Sequence, residues 1–393
     1  MKKTIKSLAI IALVAIIGFA FTTCDDDNGN GDDGNGGGTP PPTFTSIDDL
    51  GTYLSEQENN TADTPYKVKL NVSDITGIRT MLENNTMSGP SPEKYVSLDL
   101  SSSTITSIGG QAFYDCRSLT SVIIPNSVTS IENNAFTSCD SLTSIAIPNG
   151  VTSVGVGAFS NCAKLASVNI PASVTSIGVG AFNSPNLAIR LDPNNQNFAF
   201  QDGILYNKAK TQMIFISRTI SGAVTIPDSV ESIGQDAFRN CTSLTSVIIG
   251  SGVPSIGDGA FIGCTSLISI TIPDSVTSIG NIAFQNCTSL ASITIGSGVT
   301  IIVGGAFMGC TSLISITIPA SVTIIGGGAF SACTGLTSIT FQGTISSSGV
   351  NTYAFSDIGD LRTKFYATDT TNGTPGTYTT TAPVGENSEW TKQ

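Results

Sequence analysis

The sequence predicts a β-rich repeat solenoid: 23-residue units stacked into a parallel sheet along a concave face, with a small α+β cap at the N-terminal end. Three observations carry that prediction. First, Ala-Phe returns at 112–113, 135–136, 158–159 and 181–182, then at 237–238, 260–261, 283–284, 306–307 and 329–330, with a looser copy at 354–355. Second, each unit carries Leu-x-x-Ile-x-Ile-Pro or a near variant, as in Leu267 to Pro273. Third, the chain is 40% hydrophobic but only 12% charged, so hydroxyls, amides and glycine must cover its surface. A length of 393 residues would otherwise suggest two or three compact domains. A repeat grows by adding turns instead.

Residues 1–23 read as a signal peptide. "MKKTIKSLAIIALVAIIGFAFTTC" starts basic and is apolar from Leu8 to Phe21, too short for a comfortable membrane span. Phe21-Thr22-Thr23-Cys24 resembles a bacterial lipobox, which makes Cys24 the expected lipid attachment site; Thr23 departs from the smaller residue usual there. The expected address is the outer membrane or cell surface of a diderm bacterium, or the medium if Cys24 is not lipidated. Residues 24–43 are an acidic Gly/Asn/Asp stretch stiffened by Pro40 to Pro42, a flexible tether with nothing apolar to bury.

Residues 44–97 are expected to cap the array. Ile47, Leu50 and Leu54 mark an amphipathic helix, "PYKVKLNV" a strand, and Ile75 to Leu82 a second helix. The solenoid occupies 98–355. In a typical unit Leu267, Ile270 and Ile272 face inward, Pro273 ends the strand, Val276 and Ile279 add a second inward pair, and Gly280 permits the turn. Between Ala181 and Ala237 the step lengthens, and "NFAFQDGILYNKAKTQMIFIS" reads as a hairpin-like insert, at about 183–226, that interrupts or decorates the array. Residues 356–393 are Thr/Gly-rich and hold the one tryptophan, Trp390; they read as a cap with a loose end.

The repeated "AFxxCxSLTSIxIPxSVTSIG" resembles the BspA-type leucine-rich repeats of bacterial surface proteins, from about Leu98 to Phe355, and "DGILYNKAKTQ" resembles a variant unit of that family. Gly250 and Gly296 stand where the pattern has a strand-ending proline. The resemblance implies a curved leucine-rich repeat fold and, as in several relatives, adhesion to host matrix proteins or other cells.

The chemistry-bearing residues point away from catalysis. Histidine is absent, which removes Ser-His-Asp and Cys-His arrangements and imidazole metal sites. No acid pair stands out, and the turn glycines lack the Lys-Ser/Thr of a phosphate loop. Catalytic, cofactor and metal residues are therefore expected to be none. Cys116, Cys139, Cys162, Cys241, Cys264, Cys287, Cys310 and Cys333 each follow a repeat Phe by three and read as a ladder of buried thiols. Stacked neighbours come within disulfide range, but their two consecutive runs, of three and of five, are both odd.

A net charge of −12 without a basic stripe excludes nucleic acid as partner and leaves membrane contact to the lipid. The outward side of the strands is the candidate binding face: Thr120, Ser121, Thr143, Ser144, Asn169, Thr245, Ser246, Ser269, Thr271, Ser292, Thr294, Ser315, Thr317, Ser338 and Thr340, interrupted by Ile123, Ile248, Ile268 and Ile314. Small uncharged side chains lose little entropy on binding. An exported interaction protein, binding an extracellular protein or glycan through this face, is the expected function. The alternative is a self-associating envelope component without a host ligand.

Overall fold

The computed structural model describes residues 40–88 and 91–393, and those from Pro41 to Gln393 form one compact unit. The expected signal peptide and nearly all of the tether lie outside the described residues. The unit is a parallel-sheet β-solenoid of about 13 turns.

One turn shows why the sequence stacks. Ser269–Ile272 pairs in parallel with Ser292–Ile295 in a register that sets Ser269 on Ser292, Ile270 on Ile293, Thr271 on Thr294 and Ile272 on Ile295. Identical residues therefore meet themselves, and the buried rows run unbroken from rung to rung. A second, shorter sheet runs alongside through Ser255–Ile256, Ser278–Ile279, Ile301–Ile302 and Ile324–Ile325. The Ala-Phe corner adds a third line of bonds: Phe261 N donates to Ala283 O and Phe284 N to Ala306 O, both at 2.7 Å. Ahead of that corner the backbone turns left-handed, at Asn134 (φ 56°) and Asp236 (φ 54°) for example, where Asn and Asp are well tolerated. Gly280 is needed for a different reason. A Cβ there would stand 2.6 Å from the Gly257 carbonyl carbon of the preceding rung.

The phenylalanines form stacked columns. Ring centroids lie 5.0 Å apart for Phe113–Phe136 and 5.4 Å for Phe136–Phe159. The second column runs from Phe238 through Phe261, Phe284, Phe307 and Phe330 to Phe355, with separations from 4.9 to 5.6 Å.

In the middle of the chain the expected hairpin-like insert takes a different form. Phe198–Gln201, Ile204–Asn207 and Met213–Ile216 form a three-stranded antiparallel meander. Ala188–Leu191 before it and Ser221–Thr225 after it are ordinary rungs of the main sheet. The meander is a shared wall between two cores. Leu205 packs with Phe198 and Phe215 into the N-terminal core, whereas Ile204 and Tyr206 pack into the C-terminal one. Alternate residues of a strand face opposite sides, so the apolar run Ile204-Leu205-Tyr206 is that of a strand buried on both faces. The first Phe column ends edge-on against Phe215, at 6.3 Å and 82° from Phe182. The meander thus divides the main sheet into an N-terminal and a C-terminal array, each packed on its own core.

The two ends close the cores. At the N-terminal end Ser46 caps the helix Ile47–Ser55, its Oγ accepting from Asp49 N at 3.1 Å, and Lys94 Nζ donates to the Leu54 carbonyl at 2.7 Å. The second helix is Ile78–Thr86, beginning only after Gly77 at φ 89°. The strand Tyr66–Leu70 joins the main sheet beside Val96–Asp99.

The C-terminal end corrects one part of the expected cap, its loose end. Gly376–Thr379 pairs antiparallel with Ser338–Phe341, and Thr391–Lys392 pairs with it in turn. Trp390 is 1% exposed, its Nε1 donating to Ile358 O at 2.6 Å. The last rung's Phe341 would otherwise meet water; Phe365 covers it at 4.2 Å and Tyr378 at 5.9 Å. Threonine is a good strand former, so a Thr-rich tail is no guide to disorder.

Candidate functional site: the outward face of the main sheet

Fourteen of the fifteen expected face residues keep exposed or half-buried side chains along the two arrays, from Ser121 to Thr340. In-register pairing turns them into columns, Ser246–Ser269–Ser292 and Ile248–Thr271–Thr294 among them.

Thr120 is the exception and is corrected here. It is 5% exposed, and its Oγ1 donates to Val96 O at 3.1 Å. The register slips between Val96 and Ser97, which pair with Leu119 and Ser121, leaving Thr120 as the extra residue of a bulge. Ser121 instead bonds Ser97 through the two hydroxyls at 2.6 Å. At the far end Thr340 Oγ1 and Thr377 Oγ1 meet at 2.9 Å, so the C-terminal hairpin extends the same face.

Two features qualify the hydroxyl picture. Ile123, Ile248, Ile268 and Ile314 stand 55, 61, 54 and 59% exposed. Alternation assigns them the outward side but gives no reason for an apolar residue there. Arg190, paired with Asn169 in register, also places an exposed cation on the N-terminal array. The C-terminal array is the uncharged, apolar-dotted part.

The cysteines are not part of this face. All eight in the described residues are free and buried. A use the sequence does not reveal is that the thiol donates across rungs: Cys139 Sγ to Phe113 O at 3.0 Å, Cys264 Sγ to Phe238 O at 3.0 Å, Cys333 Sγ to Phe307 O at 3.1 Å. In the Phe182 unit, which has no cysteine, Ser184 Oγ makes the equivalent bond to Phe159 O at 2.6 Å. Burial pushes the thiols of Cys162, Cys241 and Cys333 up to about 12.

The folded chain thus keeps protons that the unfolded chain gives up above the ordinary thiol range. This stability is present in full below that range and is lost as pH rises from there toward about 12. Each such thiol steepens the loss by about 1.4 kcal/mol per pH unit. Urea titrations from pH 8 to 11 are expected to show it. At neutral pH native protein is expected to resist a thiol reagent and denatured protein to label at all eight positions; rapid native labelling would contradict the buried ladder.

Among the described residues no group of three or more His, Cys, Asp or Glu is placed to hold a metal ion, and no helix is long and apolar enough to cross a membrane. A broad groove of 1180 Å³ in the N-terminal cap is lined by hydroxyls, amides and two carboxylates, among them Ser46, Asp48, Asn71, Asp74 and Asn85. Cys24 lies outside the described residues.

The model of the BspA-type leucine-rich repeat region, in six copies, matches residues 93–212, 211–307 and 300–373. Among solved structures, a leucine-rich cell surface protein of Faecalibacterium prausnitzii A2-165 is similar at 31% identity and TM-score 0.53, over 72% of this chain and 80% of that one. The pneumococcal vaccine antigen PcpA shares the fold at 21% identity and TM-score 0.53, over 70% of this chain and 72% of its own. Comparison with curated proteins finds no match. With matches spanning most of its length and its repeats stacked in register, the chain belongs to the BspA-type leucine-rich repeat family of bacterial surface proteins.

Proposed function

We propose that this protein is exported, held at the cell surface by lipid on Cys24, and binds an extracellular protein or glycan through the outward face of its main sheet, in adhesion to host matrix or to other cells. The observation that carries the reading is the C-terminal array: a regular field of Ser and Thr hydroxyls punctuated by the exposed side chains of Ile248, Ile268 and Ile314. Isolated apolar side chains among neutral hydroxyls bury area on contact without desolvating charge. The face lacks Trp and Tyr anchors, so one array binds weakly and many copies on a surface bind by avidity. Membership in a repeat family whose solenoids are typically binding scaffolds supports the same reading.

The test uses residues 41–393, because both caps share the cores of the arrays they close. Saturable binding to matrix proteins or cell surfaces is expected. A folded unit that binds none of them counts against adhesion. Separately, a fatty-acid analogue is expected to label the wild-type protein in cells and to spare Cys24→Ala; equal labelling of both would remove the anchor.

A further inference from the structure

The sheet is open in its middle. Among the described residues Ala188–Leu191 is bonded on one side only, to Ser167–Ile170, and Ser221–Thr225 only to Ser243–Ile248. In a parallel ladder, successive residues turn their peptide groups to opposite sides. Ala188 N donates to Ala166 O and Asp192 N to Ile170 O, both at 2.9 Å, which leaves the N–H and C=O of Ile189 and Leu191 for the other edge. Ile226 N donates to Ile248 O at 2.8 Å, which likewise leaves those of Ala223 and Thr225.

Between the two edges lies a cavity of 360 Å³, lined by Ala188, Ile189, Ser221 and Ala223 from the strands and by Phe200 and Asp202 from the meander. A bulge at Gly222/Ala223, with Gly222 at φ 75°, shapes the second edge. Proteins blunt exposed edges because unpaired strands recruit other strands. The outer ends of this sheet follow that rule, with the two-residue strands Thr43–Phe44 and Thr391–Lys392. The inner edges are longer, of four and five residues, and among the described residues no strand pairs with their free sides.

We propose that this gap receives an extended, uncharged segment of a partner protein, which adds as a strand between Ala188–Leu191 and Ser221–Thr225. The proposal rests on the protein-binding reading above and gives it a docking mode. Peptide groups left at alternate residues on both walls are matched by another extended main chain, as in β-strand addition; a glycan offers no such period. The apolar side chains of Ile189, Ile220 and Phe200 suit a small apolar residue, and Asp202, the charged residue of the lining, disfavours an acidic one. The gap is continuous with the hydroxyl columns on either side, so a segment seated there leads its parent protein onto the face.

The probe is a library of random ten-residue linear peptides displayed on phage and selected on the full chain. Recovered peptides are expected to be uncharged and strand-forming, to bind Ala223→Pro at least tenfold more weakly, and to lose binding when alternate peptide nitrogens are methylated. On the wild-type chain, the bound peptide is expected to slow amide exchange at Ile189, Leu191, Ala223 and Thr225 at least tenfold. If Ala223→Pro fails to fold, the exchange measurement decides alone. No enriched peptide, or peptides that leave those four amides unprotected, would overturn the proposal. Protection confined to the Ser and Thr columns would do so while leaving the adhesion reading standing.

Discussion

Phe284→Ala is expected to lower the stability of the unit by about 3–5 kcal/mol. Phe284 is fully buried, with its ring 5.1 Å from Phe261 and 5.4 Å from Phe307. Removing it leaves a ring-sized void between rungs that in-register bonding holds apart, so the site cannot collapse to fill it. Both neighbours also lose a stacking partner, a further part of the cost. In a repeat array stability passes between nearest neighbours, so the loss spreads along the C-terminal core. Urea unfolding followed by circular dichroism measures it. A change below about 1 kcal/mol would mean that the column is not the continuous support described here.

Trp390→Ala is expected to cost a similar amount, about 3–5 kcal/mol, although only three residues follow it in the sequence. Its indole closes the C-terminal core and its Nε1 bond to Ile358 O ties the last strand to the final turn. The substitution also leaves that buried carbonyl without its donor. Thermal unfolding and the loss of tryptophan burial by fluorescence report the same event. An unchanged melting temperature would restore the view of residues 356–393 as a cap with a loose end.

What the sequence reveals follows from periodicity. Leu267, Ile270, Ile272, Val276, Ile279 and Phe284 recur at fixed spacing, and that spacing is enough to give the register and the inward rows. Features that break the period are harder to read. Ile204-Leu205-Tyr206 gives the same apolar run whether a strand serves one core or two, and only the fold shows which. The tail hides the order of its end, because one Trp and scattered Thr carry no pattern. Thr120 looks like any other face threonine until the slip between Val96 and Ser97 turns it inward. The free edges of Ala188–Leu191 and Ser221–Thr225 are likewise invisible, since each strand has an ordinary rung's sequence and lacks only a neighbour.

The face and its apolar points were legible as an outward surface; what the fold adds is how far Ile268 and Ile314 stand into solvent. A single direct comparison tests whether those points engage a partner: the affinity of residues 41–393 and of the Ile268→Asp/Ile314→Asp variant for whichever matrix protein or cell surface binds the parent. Both side chains are more than half exposed, so the variant is expected to melt within about 2 °C of the parent, as surface changes cost little. Its binding is expected to be at least tenfold weaker. Equal binding by the two proteins would contradict the assignment of this sheet face as the docking surface.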